Sequence, residues 1–126
     1  MRAHLILYVA EQARSCQFYS QLLSQNPRLN VPGMTEFLIN ENCILGLMPN
    51  SSIERLLGVH TAAEQQIARA ELYLLVDCPQ TWYECALQAG GRPLSPVQMR
   101  DWGDQVAYCA DPDGHVLGFA RSQEVV

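Results

Sequence analysis

His4-Leu5-Ile6-Leu7-Tyr8-Val9-Ala10 and Glu71-Leu72-Tyr73-Leu74-Leu75-Val76-Asp77 can be laid over one another with apolar residues matched at every core position. A repeat of this kind decides the fold, because each copy must then build the same supersecondary unit. A helix is predicted after each run. In the first copy Cys16, Tyr19, Leu22 and Leu23 recur at three- and four-residue spacing, one face of a helix over about residues 11–24. In the second, Trp82, Cys85, Ala86 and Ala89 do the same, with Asp77 placed as N-cap, Pro79 in the first turn and Gly90-Gly91 as the stop. The first helix has no comparable cap at its start.

Beyond each helix the pattern changes to short extended runs: residues 35–40 and 43–48 in the first copy, 105–110 and 115–121 in the second. A further strand is predicted before each pair, near 28–31 and 93–97. Asn40-Glu41-Asn42 and Asp111-Pro112-Asp113-Gly114 separate the paired runs as hairpin turns. Residues 49–69 link the copies, with two turns of helix expected within 51–58 and a lid or partner-contact role for the stretch as a whole. The order is βαβββ, linker, βαβββ, with module one over about 3–48 and module two over about 70–121 of a single domain, 1–126. The expected class is α+β, with tandem βαβββ modules forming a curved mixed sheet around a central cavity.

The length of 126 residues and 48% apolar content fit one domain with a sizeable core. No apolar run approaches the roughly 20 residues that span a bilayer, and the amino terminus lacks the pattern of a secretory leader, so the expected compartment is the cytoplasm, with no membrane partner. Eight arginines, no lysine and thirteen acidic residues give a net charge of −5. Scattered arginines on an acidic chain disfavour nucleic acid, whose binding rests on dense basic surface. The five cysteines form no Cys-x-x-Cys pair and are read as buried, reduced thiols.

The tandem layout, the opening His4-Leu5-Ile6-Leu7-Tyr8-Val9, the helix residues Phe18-Tyr19-Ser20-Gln21-Leu22-Leu23 and the closing Asp101-Trp102-Gly103 followed by Asp111-Pro112-Asp113-Gly114-His115 together resemble the vicinal oxygen chelate superfamily, the glyoxalase/bleomycin-resistance/extradiol-dioxygenase group. Catalytic members hold a divalent metal through side chains from the first and last strands of each copy. Carried over, those places fall on His4 and Gly46 in one copy and on Glu71 and Gly118 in the other. Two of the four offer no donor, and no acidic residue or histidine stands at a plausible shift beside Gly46 or Gly118, so the expected site is metal-free. His60 and His115 are the remaining histidines, and His115 is placed at a hairpin tip.

Strand alternation puts His4, Ile6 and Tyr8 on one face with Ile44, Gly46 and Met48, and Glu71, Tyr73 and Leu75 on one face with Val116, Gly118 and Ala120. A lining of tyrosines, aliphatics and a methionine around a His4/Glu71 pair, with room left by two glycines, is the composition of a small-molecule site. The His4/Glu71 pair orients a ligand or, in an enzyme, acts as acid and base. In the metal-free, antibiotic-binding branch that the chain resembles, a Trp-Gly pair borders the ligand groove, which implies that role for Trp102; a plug at the barrel mouth or a dimer seam is the structural alternative. Trp82 is expected in the core, Met34 and Phe37 at the cavity rim, and Arg100 and Arg69 are candidate anchors for an anionic group or else solvated charges.

The function expected is a metal-independent small-molecule-binding protein of the glyoxalase/bleomycin-resistance type, without cofactor. Its ligand-binding residues are His4, Tyr8, Gly46, Met48, Glu71, Tyr73, Trp102 and Gly118. The alternative is a metal-dependent, glyoxalase-like lyase or isomerase using a divalent metal through His4 and Glu71, which would then be catalytic. A homodimer is implied by the resemblance, whose members commonly pair copies across subunits.

Overall fold

A computed structural model describes residues 1–61 and 68–122. These divide into two compact units, Met1–Ile67 and Ala68–Val126. Each builds a four-stranded mixed sheet, giving the expected α+β class with one βαβββ module per unit.

In the first unit β1 (Ala3–Val9) leads into α1 (Gln12–Leu23), followed by β2 (Leu29–Val31), β3 (Met34–Asn40), β4 (Cys43–Pro49) and α2 (Asn50–Leu57). The strand order is β1-β4-β3-β2, with β1 parallel to β4 and the remaining pairs antiparallel. Phe18, Tyr19 and Leu22 of α1 are buried against the sheet, the Tyr19 ring 6.5 Å from that of Phe37. Phe37, Leu45 and Leu47 have no exposed surface, and burying each of these side chains contributes about 1.5–3 kcal/mol. Phe37 therefore belongs to the core beneath α1 and not to a rim, since alternation turns it to the same face as its register partner Leu45.

No side chain caps α1, but its first residue ties the helix start to the sheet. Gln12 donates from Nε2 to the Val31 carbonyl (2.8 Å) and to Thr35 Oγ1 (2.9 Å), and its Oε1 accepts from the Gly33 amide (3.1 Å). One side chain at the helix start thus fixes the β2–β3 turn, where Gly33 has φ +97°. In the expected linker, α2 packs on β4 and β1 through the buried Ile53. The lid or partner role expected of 49–69 rests partly on 62–67, which lie outside the described residues.

The second unit repeats the plan: β5 (Glu71–Leu75), α3 (Pro79–Gln88), β6 (Arg92–Met99), β7 (Asp104–Ala110) and β8 (Val116–Ser122), in the order β5-β8-β7-β6 with β5 parallel to β8. Trp82 of α3 lies 6.0 Å from Phe119, which is fully buried. The N-cap of α3 is Cys78 and not Asp77. A residue before proline is pushed to extended backbone, and Cys78, with φ −134° and ψ 93°, holds that conformation ahead of Pro79. Cys78 is also the one exposed thiol; Cys16, Cys43 and Cys85 are partly covered and Cys109 is buried. Among the described residues no helix is long and apolar enough to cross a membrane.

Candidate functional site

In the first unit, register places the expected residues on the face opposite α1: His4 pairs with Ile44, Ile6 with Gly46 and Tyr8 with Met48. Glu36 pairs with Gly46 from the other side and so joins them. His4 finds its carboxylate there: Nδ1 lies 3.5 Å from Glu36 Oε2, while Glu36 Oε1 meets Arg28 Nε at 3.2 Å. Glu36, mostly buried, is the residue that sequence reasoning missed; it gives His4 an acidic partner within its own unit where Glu71 was expected in that role. In sequence it stands only as a lone acid in the mostly apolar stretch 34–39, a strand whose facing alternation had not fixed.

In the second unit Glu71 pairs with Val116 and Tyr73 with Gly118, whose other neighbour is Tyr108. This face, opposite α3, is joined by the β6–β7 turn. Trp102 is 59% exposed, yet its Nε1–H donates to the Tyr73 hydroxyl at 2.9 Å. The Tyr73 O–H in turn donates to Asp104 Oδ2 at 2.6 Å. The Tyr73 pKa is raised, first by burial and then by the bond to Asp104, against a smaller lowering by Trp102, so the phenol keeps its proton. Gly103, with φ +97°, lets the turn close: its amide donates to the Arg100 carbonyl (3.0 Å), and the Arg100 amide donates to Asp104 O (2.8 Å). Trp102 is thereby held by a hydrogen bond at its polar edge with its ring largely in solvent.

Arg100 is neither a ligand anchor nor a solvated charge. Its Nε and Nη2 donate to the Val106 carbonyl (3.2 and 2.8 Å), Nη2 also reaches Ser95 Oγ and Pro96 O (both 2.9 Å), and Nη1 meets Gln98 Oε1 at 3.4 Å. The guanidinium also lies 5.1 Å from the centre of the Tyr108 ring. It clamps β6 to β7 across a register irregularity between Ser95 and Gln98.

The metal implied by the resemblance does not fit these residues. The room expected at the two glycines is filled by their neighbours. A Cβ on Gly118 would stand 3.0 Å from Tyr73 Cδ1 and 3.1 Å from Tyr108 Cε1; on Gly46 it would stand 3.1 Å from Ile6 Cγ1 and 3.3 Å from Met34 Sδ. Neither position can carry a ligating side chain without displacing them, and a catalytic zinc normally takes three protein donors. Among the described residues, three candidate donors gather within 4.8 Å only at Asp111, Asp113 and His115. That group is a turn staple. The Asp111 Oδ1 accepts from the amides of Asp113 and His115 (both 2.9 Å), and its Oδ2 meets His115 Nδ1 at 2.8 Å. His115, expected at an outlying hairpin tip, is half-buried as part of this staple.

Comparison with known proteins agrees with this architecture. A solved glyoxalase-related enzyme from Fulvimarina pelagi is similar with a TM-score of 0.84 at 23% identity, over 97% of this chain and 88% of its own. A glyoxalase/bleomycin resistance protein/dioxygenase from Nocardioides gives 0.79 at 23% identity, over 100% and 85%. A glyoxalase/bleomycin resistance protein/dioxygenase family enzyme from Burkholderia phytofirmans PsJN gives 0.80 at 15%, over 94% and 95%. At these identities the likeness is one of fold. Among curated proteins none matches. The family model described as Glyoxalase-like domain matches residues 2–124. With that match over nearly its whole length, the chain belongs to the glyoxalase-like domain family of the vicinal oxygen chelate superfamily.

Proposed function

We propose that this chain is a metal-independent small-molecule-binding protein of the glyoxalase/bleomycin-resistance type and not an enzyme. Its ligand would be partly apolar, stacked on Tyr73 and Trp102 and oriented by Glu71 on the face opposite α3, while Tyr8 and His4 are the residues proposed for the same role on the face opposite α1 of the first unit. The observation that carries the proposal is the exposed indole of Trp102 fixed through its N–H to Tyr73. A large apolar ring left in solvent yet locked in orientation is pre-organised for stacking, because little freedom remains to be lost on binding. The glycines support it as well, since Tyr73, Tyr108, Ile6 and Met34 fill the places from which a metal ligand would reach.

The test is thermal unfolding of metal-stripped protein, first with Zn²⁺, Ni²⁺, Mn²⁺ and Fe²⁺ and then with a panel of bicyclic aromatic compounds. A ligand at a hundred times its dissociation constant stabilises by about 2.7 kcal/mol, well within reach of the measurement. Stabilisation by aromatics with the metals without effect is the expected result. A stoichiometric metal, lost on substitution of His4 or Glu71, would overturn it in favour of a glyoxalase-like lyase or isomerase. A homodimer is the assembly proposed with this function, read by light scattering of the purified chain.

A further inference from the structure

Around Tyr73 most of the hydrogen-bond donors are spent and several acceptors are not. The Trp102 N–H is committed to Tyr73, the Tyr73 O–H to Asp104, and each nitrogen of the Arg100 guanidinium to an oxygen of Ser95, Pro96, Gln98 or Val106. A phenol oxygen has two lone pairs, and Trp102 occupies one. What remains unused is the second lone pair of the half-buried Tyr73, the exposed carboxylate of Glu71 two residues earlier on the same face, and the π-face of Trp102. The Tyr108 hydroxyl keeps its proton: its pKa is raised by burial and then by the nearby charge of Glu71, against a smaller lowering by Arg100.

Charge points the same way. Glu71, Asp104 and the exposed Asp101 beside Trp102 stand against Arg100 and the exposed Arg69, leaving one net negative charge. Arg92 stands in the cross-strand row of Glu71 through Ala110 and Val116, but three strands away, about 14 Å at the usual strand spacing. Lone pairs, carboxylates and an indole face complement a protonated amine carried on an aromatic or aliphatic body better than they do an anion.

We infer that the face of the second unit built by Glu71, Tyr73 and Trp102 selects organic cations, with the ammonium N–H directed to Tyr73 Oη and Glu71 and the apolar body against Trp102. This rests on the binding function proposed above and names the class of ligand.

The experiment uses the full chain and three probes of matched shape: naphthylmethylammonium, naphthalenemethanol and naphthoate, titrated calorimetrically at low salt. The ammonium is expected to bind about tenfold more tightly than the alcohol, with the carboxylate weakest, as a partly solvated charge pair and a cation–π contact together imply. Glu71→Gln, at an exposed position, should cut the preference for the ammonium over the alcohol by threefold or more. Equal affinity for all three probes, or a preference for the carboxylate, would overturn the inference and leave the binding function standing. Failure of all three to bind would overturn both.

Discussion

Gly118→Ala isolates the packing at the centre of the second unit's face. The new Cβ would stand 3.0 Å from Tyr73 Cδ1 and 3.1 Å from Tyr108 Cε1, where ordinary contacts begin at 3.4 Å, so each ring must retreat by a few tenths of an ångström. Tyr73 is poorly placed to retreat, because its hydroxyl is fixed at 2.9 Å from Trp102 Nε1 and 2.6 Å from Asp104 Oδ2. Overpacking of this kind costs about 1–3 kcal/mol. Against it, replacing glycine by alanine where φ is negative restricts the unfolded chain and contributes about 0.4–1 kcal/mol to stability. The net expectation is a loss of about 1–2 kcal/mol, or a fall in Tm of roughly 4–8 °C for a chain of this length.

Urea unfolding followed by near-ultraviolet circular dichroism reads this directly, with Gly46→Ala as the comparison. At Gly46 the obstacles are Ile6 Cγ1 and Met34 Sδ, at 3.1 and 3.3 Å, on side chains that no hydrogen bond fixes in place, so that substitution should fall within about 0.5 kcal/mol of neutral. In a Tyr108→Ala background the cost of Gly118→Ala should drop by about half, a coupling expected only of residues in contact. A neutral or stabilising Gly118→Ala would refute the reasoning, because it would show the space over this glycine to be open.

Tyr73→Phe removes the hydroxyl that links Trp102 to Asp104 and, since all three are partly solvated, should cost about 1 kcal/mol by urea unfolding while shifting Trp102 emission to the red; unchanged emission would mean that the indole is not held there. Alkylation followed by mass spectrometry should modify Cys78 first, because it is exposed and the Thr81 hydroxyl donating to Sγ lowers its pKa, and Cys109 last, because burial pushes its thiol up to about 12. His115 is also sensitive to pH: burial lowers its pKa, but the bond to Asp111 and the charges of Asp111 and Asp113 together outweigh this and leave it above its ordinary 6.5. Its protonated form therefore contributes stability that is complete below about 6.5 and is lost as pH rises through the higher folded value, and His115→Asn should flatten the stability profile in that window.

The repeat, the two helices that follow its copies and the order of elements along the chain were readable because hydrophobic periodicity and turn residues are local properties. The facing of Tyr8, Met48, Tyr73 and Gly118 followed from alternation alone, and the registers agree with it. Phe37 went astray because its strand begins at Met34, and only the pairing of Phe37 with Leu45 fixes which face it takes. Arg100 and Glu36 were missed for a related cause: Glu36 meets His4 across the intervening strand β4, and a guanidinium bound to four oxygens of its own hairpin reads in sequence like any surface arginine. The glycines misled in the opposite direction. A missing side chain suggests space, yet at Gly46 and Gly118 it marks a place where neighbouring side chains already lie.

The proposed binding function turns most directly on the indole N–H resonances of Trp82 and Trp102, recorded on metal-stripped, ¹⁵N-labelled protein as aromatic ammonium compounds are added. The account predicts saturable shifts of the Trp102 signal with Trp82 nearly still, unchanged by chelator. Shifts that appear only after a divalent metal is supplied, or that leave Trp102 untouched while Trp82 moves, would contradict it.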